Sequence, residues 1–248
     1  MSLDPRPAVI ERRFAEVGRL VGVSGGKGGI GKTCTAALTA LALAREGAAV
    51  GLLDLDFTGP CAHIVLGADA RVPREDFGVL PLREAGLDFM SIACFSEGRA
   101  TPLRGAALSD ALVEMLCIVR WGRLDFLLID MPPGLGDTLL DTARLVPRLE
   151  YLLVSTASRL ATETVRRNLE LLGRMQVPVA GLLETMRRRQ STAVEDLASA
   201  AGVPFWGAVP FDPLLEEALG DPSALEGTEA FAAVAAAVRQ QIAGKGSG

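Results

Sequence analysis

The chain has 248 residues, of which 49% are apolar and 22% charged, with a formal charge of −5 at neutral pH. That is enough apolar material for one large core or two small ones, and too little net charge to wrap nucleic acid by bulk electrostatics. The 27 glycines and 14 prolines are not gathered in polar repeats, which excludes wholesale disorder and collagen-like or mucin-like sequence.

Residues 1–18 set Asp4, Glu11 and Glu16 among arginines and contain no apolar stretch of signal-peptide type, so they read as an N-terminal arm. Short apolar runs of strand character follow at Leu20–Val23, Val50–Leu53, Phe89–Ala93, Phe126–Ile129, Tyr151–Val154, Val179–Leu183 and Phe205–Val209. Between most of them lie segments of helical spacing: Thr33–Arg45, Gly105–Val119, Leu160–Met175, Ala193–Ala201 and Thr228–Ile242. Strands apolar on both faces require helices on both sides. The pattern therefore predicts an α/β fold with a doubly wound, mostly parallel sheet, in one domain spanning 1–248 and closed by a loose tail at 244–248. The longest irregular segments, Thr58–Asp88 and Glu97–Leu103, are long enough to be functional loops. The apolar stretches Ala36–Ala44 and Phe231–Val238 fall short of the roughly 20 residues of a membrane span, and the expected location is the cytoplasm. Cys34, Cys61, Cys94 and Cys117 are widely spaced with no C-x-x-C pair, and read first as reduced, mostly buried thiols.

The first strand runs into Gly25-Gly26-Lys27-Gly28-Gly29-Ile30-Gly31-Lys32-Thr33 and then a helix. From Gly26 this matches G-x-x-x-x-G-K-[ST]: glycines let backbone N–H groups turn toward phosphate oxygens, and the helix N-terminus adds positive dipole. Lys32 is placed to reach the β- and γ-phosphates and Thr33 to put its hydroxyl on Mg²⁺. Gly26, Gly28 and Gly31 also satisfy G-x-G-x-x-G, with Asp54 a little over twenty residues on. The Lys-Thr pair has no role in a dinucleotide fingerprint and two roles in a triphosphate site, and decides for the triphosphate. Asp54 and Asp56 end the second strand, either as a functional pair or as solvated turn carboxylates. Phe126-Leu127-Leu128-Ile129-Asp130 is an apolar strand ending in a carboxylate suited to hold Mg²⁺, followed by the glycine-hinged Met131–Asp137 loop.

Lys-Gly-Gly-x-Gly-Lys-Thr, Lys27 to Thr33, resembles the deviant Walker A motif of the MinD, ParA, ArsA and nitrogenase iron protein superfamily. Asp-x-Pro-Pro-Gly-x-Gly-Asp, Asp130 to Asp137, is similar to its Mrp/ApbC branch. Agreement continues through Asp56–Pro60, Leu66-Gly67, Val177–Gly181 and Val209–Pro213, covering roughly residues 18 to 222. The resemblance implies an Mg²⁺-dependent ATPase working as an ATP-controlled homodimer, with Lys27 acting across the dimer interface, Asp56 orienting the attacking water and Asp54 holding the phosphate-loop and metal region. It implies ATP or ADP on Gly26, Lys27, Gly28, Gly29, Ile30, Gly31, Lys32, Thr33 and Cys34, and metal on Thr33, Asp56 and Asp130. Pro210 and Asp212 would flank the adenine base, although a plain two-proline turn fits that segment almost as well. The preference for ATP over GTP is inherited from the resemblance.

The sequence departs from that branch in one place. Where Mrp/ApbC proteins continue past Gly-x-x-Glu-Asn-Met into a cluster-binding Cys-x-x-Cys, this chain reads Gly181-Leu182-Leu183-Glu184-Thr185-Met186-Arg187-Arg188-Arg189-Gln190. Both cysteines are missing, and Thr185 stands where an Asn near adenine is common. An iron-sulfur cluster therefore has no evident local ligands, and Cys61 and Cys94 are the two cysteines expected near nucleotide-responsive segments. His63, the sole histidine, reads as structural. Arg166, Arg167, Arg174 and Arg187–Arg189 read as a solvated face, and Glu229–Ile242 as a packing helix, so neither nucleic acid nor membrane is an expected partner. The implied function is a metal or iron-sulfur cluster assembly or carrier ATPase with a metalloprotein client. The competing readings are a MinD/ParA-like positioning ATPase and a regulatory switch that binds a protein partner without cargo.

Overall fold

A computed structural model describes residues 4–69, 71–95, 106–134, 137–146 and 148–243. The expected Glu97–Leu103 loop, part of the Met131–Asp137 loop and the 244–248 tail lie outside those residues.

The stretch read as an arm contains helix α1 (Arg6–Arg13), and strand β1 begins at Val17 and runs to Gly25. Ile10 and Phe14, one helical turn apart, are both fully buried and fasten this stretch to the core. The remaining elements are α2 (Lys32–Arg45), β2 (Val50–Asp54), α3 (Ala62–Leu66), β3 (Leu82–Glu84), β4 (Leu87–Ser91), α4 (Ala106–Ile118), β5 (Leu124–Asp130), α5 (Asp137–Leu145), β6 (Leu149–Ser155), α6 (Arg159–Arg174), β7 (Val179–Arg187), α7 (Ala193–Ala201), β8 (Phe205–Pro210), α8 (Leu214–Glu217), α9 (Pro222–Glu226) and α10 (Glu229–Ala243).

The eight strands form one sheet in the order β3-β4-β2-β5-β1-β6-β7-β8, parallel throughout except for β3 against β4. All seven expected strands are present, and the doubly wound α/β architecture is as read. The eighth strand, β3, pairs with β4 through a two-residue turn whose central residues, Ala85 and Gly86, have φ of +52° and +80°. Ala in a left-handed position is not the Asn-Gly or Asp-Gly signature such turns usually carry, so nothing in the sequence marked the hairpin. The third expected strand, Phe89–Ala93, is shifted: β4 ends at Ser91, and Ile92–Cys94 turn as a short 3₁₀ helix begun by the Ser91 hydroxyl, which accepts the Ala93 N–H.

Strand β1 shows how the layers form. Val21 lines a small gap together with Thr39 and Leu43 of α2 and Val238 of α10 on one face of the sheet. On the other, Gly22 leaves room for the Tyr151 ring, whose hydroxyl reaches across to donate to the Leu139 carbonyl of α5. Alternate residues of one strand thus pack under different helices, which requires apolar or absent side chains on both faces.

A close backbone approach holds α3 in place. Gly67, with φ of +64°, ends α3 against Gly220, where an added Cβ would lie 2.0 Å from the Gly220 carbonyl oxygen. Gly47 has φ of +88° but nothing within 4 Å of an added Cβ. Gly67→Ala is expected to cost more than about 3 kcal/mol, because backbone must move. Gly47→Ala should cost about 1 to 2 kcal/mol, the left-handed conformation alone. Urea denaturation of the two variants beside the parent chain measures the difference.

Candidate functional site

The carboxyl ends of β1, β2 and β5 lie side by side, with Val23 opposite Asp130 and Asp130 opposite Asp54. Open parallel sheets bind ligands at this end, where the strand order reverses. From β1 the chain passes through Gly25–Gly31 into α2, the strand, glycine loop and helix expected from the motif. Gly26 is a packing position, since a Cβ there would sit 2.7 Å from Cβ of Thr164 on α6. Gly28 and Gly29 are exposed, with nothing within 4 Å of an added Cβ, so they leave open the concave side of the loop. Lys27 is exposed and has no ion pair among the described residues.

Lys32 is buried. Its ammonium forms a tight ion pair with Oδ1 of Asp130, which is itself fully buried, while Oδ2 of Asp130 has no hydrogen-bond partner among the described residues. The half-buried Thr33 stands beside the same carboxylate, and its hydroxyl helps to favour the ionised form. Burial is the largest influence on Asp130 and pushes its acid upward, against the pull of Lys32.

Asp54 and Asp56 play different structural parts. Asp54 is fully buried and accepts the Asp56 N–H on one oxygen and the Ala62 N–H and Ser91 hydroxyl on the other. It ties down the segment from β2 to α3, and has no hydrogen bond to the glycine loop among the described residues. Burial, then the Asp130 charge, pushes its acid up to about 7. Asp56 is half-buried. Its Oδ1 accepts the N–H groups of Thr58 and Gly59 and the Thr58 hydroxyl, closing a turn on itself, while Oδ2 has no hydrogen bond among the described residues.

A cavity of about 470 Å³ opens beside the loop, lined by Gly31, Cys34, Thr185, Pro210, Phe211 and Glu216 among others. Its volume is that of a small-molecule pocket. Pro210 and Cys34 are among its lining residues. Asp212 lines it too, but its carboxylate is occupied, accepting the N–H groups of Leu214 and Ala230 at the starts of α8 and α10. Burial pushes the Cys34 thiol up to about 11, which favours the protonated form of a packing residue. Three features of the cavity wall had no signal in the sequence: the Thr185 hydroxyl donates into the glycine loop, Arg188 stacks 3.7 Å over the Phe211 ring, and Met186 takes φ of +54° with its methyl beside Gly31.

The cysteines do not converge on a ligand set. Cys61 is exposed at the start of α3, Cys94 is buried, and Cys117 is half-buried, its Sγ 3.8 Å from the Arg6 carbonyl. Among the described residues no three of His, Cys, Asp or Glu are grouped to hold a metal ion. His63 is half-buried, burial lowers its pKa, and its Nδ1 has no hydrogen-bond partner among the described residues. The Asp137 side chain lies outside the described residues. No described helix is long and apolar enough to cross a membrane.

With this geometry in hand, the comparison with known proteins is specific. A model of the ParA family, described as the NUBPL iron-transfer P-loop NTPase, matches residues 16–243. The chain belongs to that family. It is similar to the iron-sulfur cluster carrier protein of Aquifex aeolicus, 31% identical over an alignment covering 97% of this chain and 72% of that one. The carrier protein of Pseudomonas fragi is 41% identical over 70% of this chain and 62% of its own length. For the Escherichia coli K12 carrier protein the alignment takes in 47% of the relative, so some members of the family carry much more chain than is matched here. Among solved structures, a nucleotide-binding protein of Archaeoglobus fulgidus in complex with ADP superposes with a TM-score of 0.76 at 28% identity, covering 89% of this chain and 92% of that one. The cell division ATPase MinD of Pyrococcus furiosus shares the fold with a TM-score of 0.63 at 21% identity, covering 90% and 99%. The P-loop NTPase assignment read from the two motifs, and the Mrp/ApbC resemblance, stand.

Asp54 supplies a test of the site's electrostatics. An acid held near 7 in the folded chain and near 3.8 when unfolded keeps its proton on folding between those values, so its contribution to stability falls as pH rises from about 4 to 7 and then levels off. Without nucleotide or Mg²⁺, the parent chain should lose stability relative to Asp54→Asn over that window, as read by urea denaturation at several pH values. Parallel curves for the two proteins would exclude the shift.

Proposed function

We propose that the chain is an Mg²⁺-dependent ATP-binding and ATP-hydrolysing switch that works as a homodimer and serves the assembly or carriage of iron-sulfur or other metal centres. One observation carries the reading: an open glycine loop ends at a buried lysine, Lys32, whose partner carboxylate keeps one oxygen without a hydrogen bond among the described residues. An oxygen without a hydrogen bond in a fully buried site costs free energy unless something else takes it up, and a hard dication suits such a donor. Thr33 and Asp130 would hold Mg²⁺, with Asp56 beside them, and the ion when bound neutralises charge on the phosphate oxygens.

The chain's own residues would then act in sequence. Backbone N–H groups of the loop bind the phosphates, and Lys32 exchanges its Asp130 partner for phosphate oxygens. Asp56 keeps one oxygen on its own turn and offers the other to the attacking water. Lys27, exposed and without an ion pair among the described residues, reaches phosphate from a second copy of the chain. The cavity between Cys34 and Pro210 takes the base. Hydrolysis releases the hold on both copies and serves as a timer for their association.

The carrier role rests on the relatives, which are named iron-sulfur cluster carrier proteins. A second reading is favoured by the segment after Gly181: where the Mrp/ApbC pattern has paired cysteines there are arginines, so the switch would act on a protein partner without a metal cargo.

Lys32→Ala is expected to lose measurable Mg·ATP binding by titration calorimetry. Lys27→Ala should keep most of the affinity while hydrolysis is lost, and an undiminished rate in that variant would rule out action across a dimer. Anaerobic reconstitution with iron and sulfide separates the two readings: a chromophoric cluster supports the carrier, and a protein free of iron leaves the partner switch.

A further inference from the structure

The glycine loop can bind an anion only if its carbonyl groups point elsewhere, since each peptide presents a donor on one side and an acceptor on the other. Three of these carbonyls have donors of their own. The Gly25 carbonyl accepts the Gly134 N–H at 3.2 Å, and the Gly31 carbonyl accepts the N–H and hydroxyl of Thr35, both at 2.8 Å. The third, that of Ile30, accepts the Thr185 hydroxyl at 2.7 Å, across 155 positions of sequence. Turning the Ile30 carbonyl toward β7 directs the N–H of Gly31, on the same peptide, the opposite way.

Thr185 is well held for that task. It is 4% exposed, and its hydroxyl also lies 3.2 Å from the Ser155 carbonyl at the end of β6. The strand on either side is fixed independently of any ligand: the fully buried Glu184 is paired with Arg187, whose guanidinium also donates to the Ser191 carbonyl. Met186 between them has a left-handed φ of +54°, a conformation that costs a non-glycine residue on the order of 1 kcal/mol. The single hydroxyl hydrogen of Thr185 is committed to backbone carbonyls, so it has none left for a nucleobase.

We infer that Thr185 is a positioning residue of the phosphate loop, which fixes the peptide between Ile30 and Gly31 so that its N–H faces the anion, and that it does not read the base. This role rests on the nucleotide-binding reading given above and deepens it.

Thr185→Ala and Thr185→Ser differ from each other only in the hydroxyl, and both lose the methyl group, so their comparison isolates the hydrogen bond from packing. In titration calorimetry with Mg²⁺, Thr185→Ser is expected to bind ADP within about twofold of the parent, and Thr185→Ala about three- to tenfold more weakly, the range of one hydrogen bond. The ratio of ADP to GDP affinity should be the same in all three proteins. Thermal melts without nucleotide show whether Thr185→Ala is folded, and Thr185→Val, which retains the branched shape, should lose the same affinity as Thr185→Ala. Equal affinities for the Ala and Ser variants would overturn the inference. So would a loss confined to ADP with GDP unaffected, which would make Thr185 a base contact. A parent chain that binds neither ADP nor ATP would instead remove the nucleotide reading itself, and this role with it.

Discussion

The buried pair of Lys32 and Asp130 is the interaction around which the molecule is arranged. A lysine and an aspartate removed from water cost more than their attraction returns unless geometry and further hydrogen bonds make up the difference. Here one carboxylate oxygen has no hydrogen bond among the described residues. A structure evolved for stability alone would place apolar side chains at this point. The pair therefore marks a location where the fold gives up stability, and the neighbouring Asp54 adds a second carboxyl that burial drives toward its neutral form. With both carboxyls ionised, two acids at adjacent strand ends face one base, Lys32 at the start of α2, and the cluster is short of positive charge. An entering dication would supply that charge, and entering phosphate would give Lys32 a new partner.

The elements around this cluster are tied to it by backbone groups more than by side chains. Asp54 gathers the N–H groups of Asp56 and Ala62, and Leu55 N–H donates to the Asp130 carbonyl. Gly134, just beyond β5, donates to Gly25 at the start of the glycine loop. Both loops that flank the cluster are thus joined to strands they do not continue. A shift of either one has to break main-chain hydrogen bonds, and this gives the site discrete arrangements in place of gradual drift.

Much of this was legible in the sequence. The seven parallel strands were marked by apolar runs too short for helices, and the glycine loop, Lys32, Thr33 and Asp130 by the spacing of their two motifs. What escaped had physical reasons. The hairpin of β3 and β4 turns at Ala85, a residue that ordinarily avoids left-handed backbone, and the apolar anchors of α1, Ile10 and Phe14, sit in a strongly polar stretch. The division of labour between Asp54 and Asp56 shows only once the hydrogen bonds are seen, because both residues obey the same local pattern. Thr185 and the Arg188–Phe211 stack join segments that are remote from their partners or set by side-chain packing, which period and motif do not encode.

The borders of the sheet carry a consequence of their own. One border is β3, three residues long, with Arg83 paired to Asp88 of its neighbour; the other is β8, which closes on Pro210 and contains Gly207 in a left-handed conformation. A short, charged margin on one side and an interrupted margin on the other offer poor templates for a foreign strand. Such margins guard a sheet this long against unwanted polymerisation, and they leave recognition to the loops at the strands' carboxyl ends.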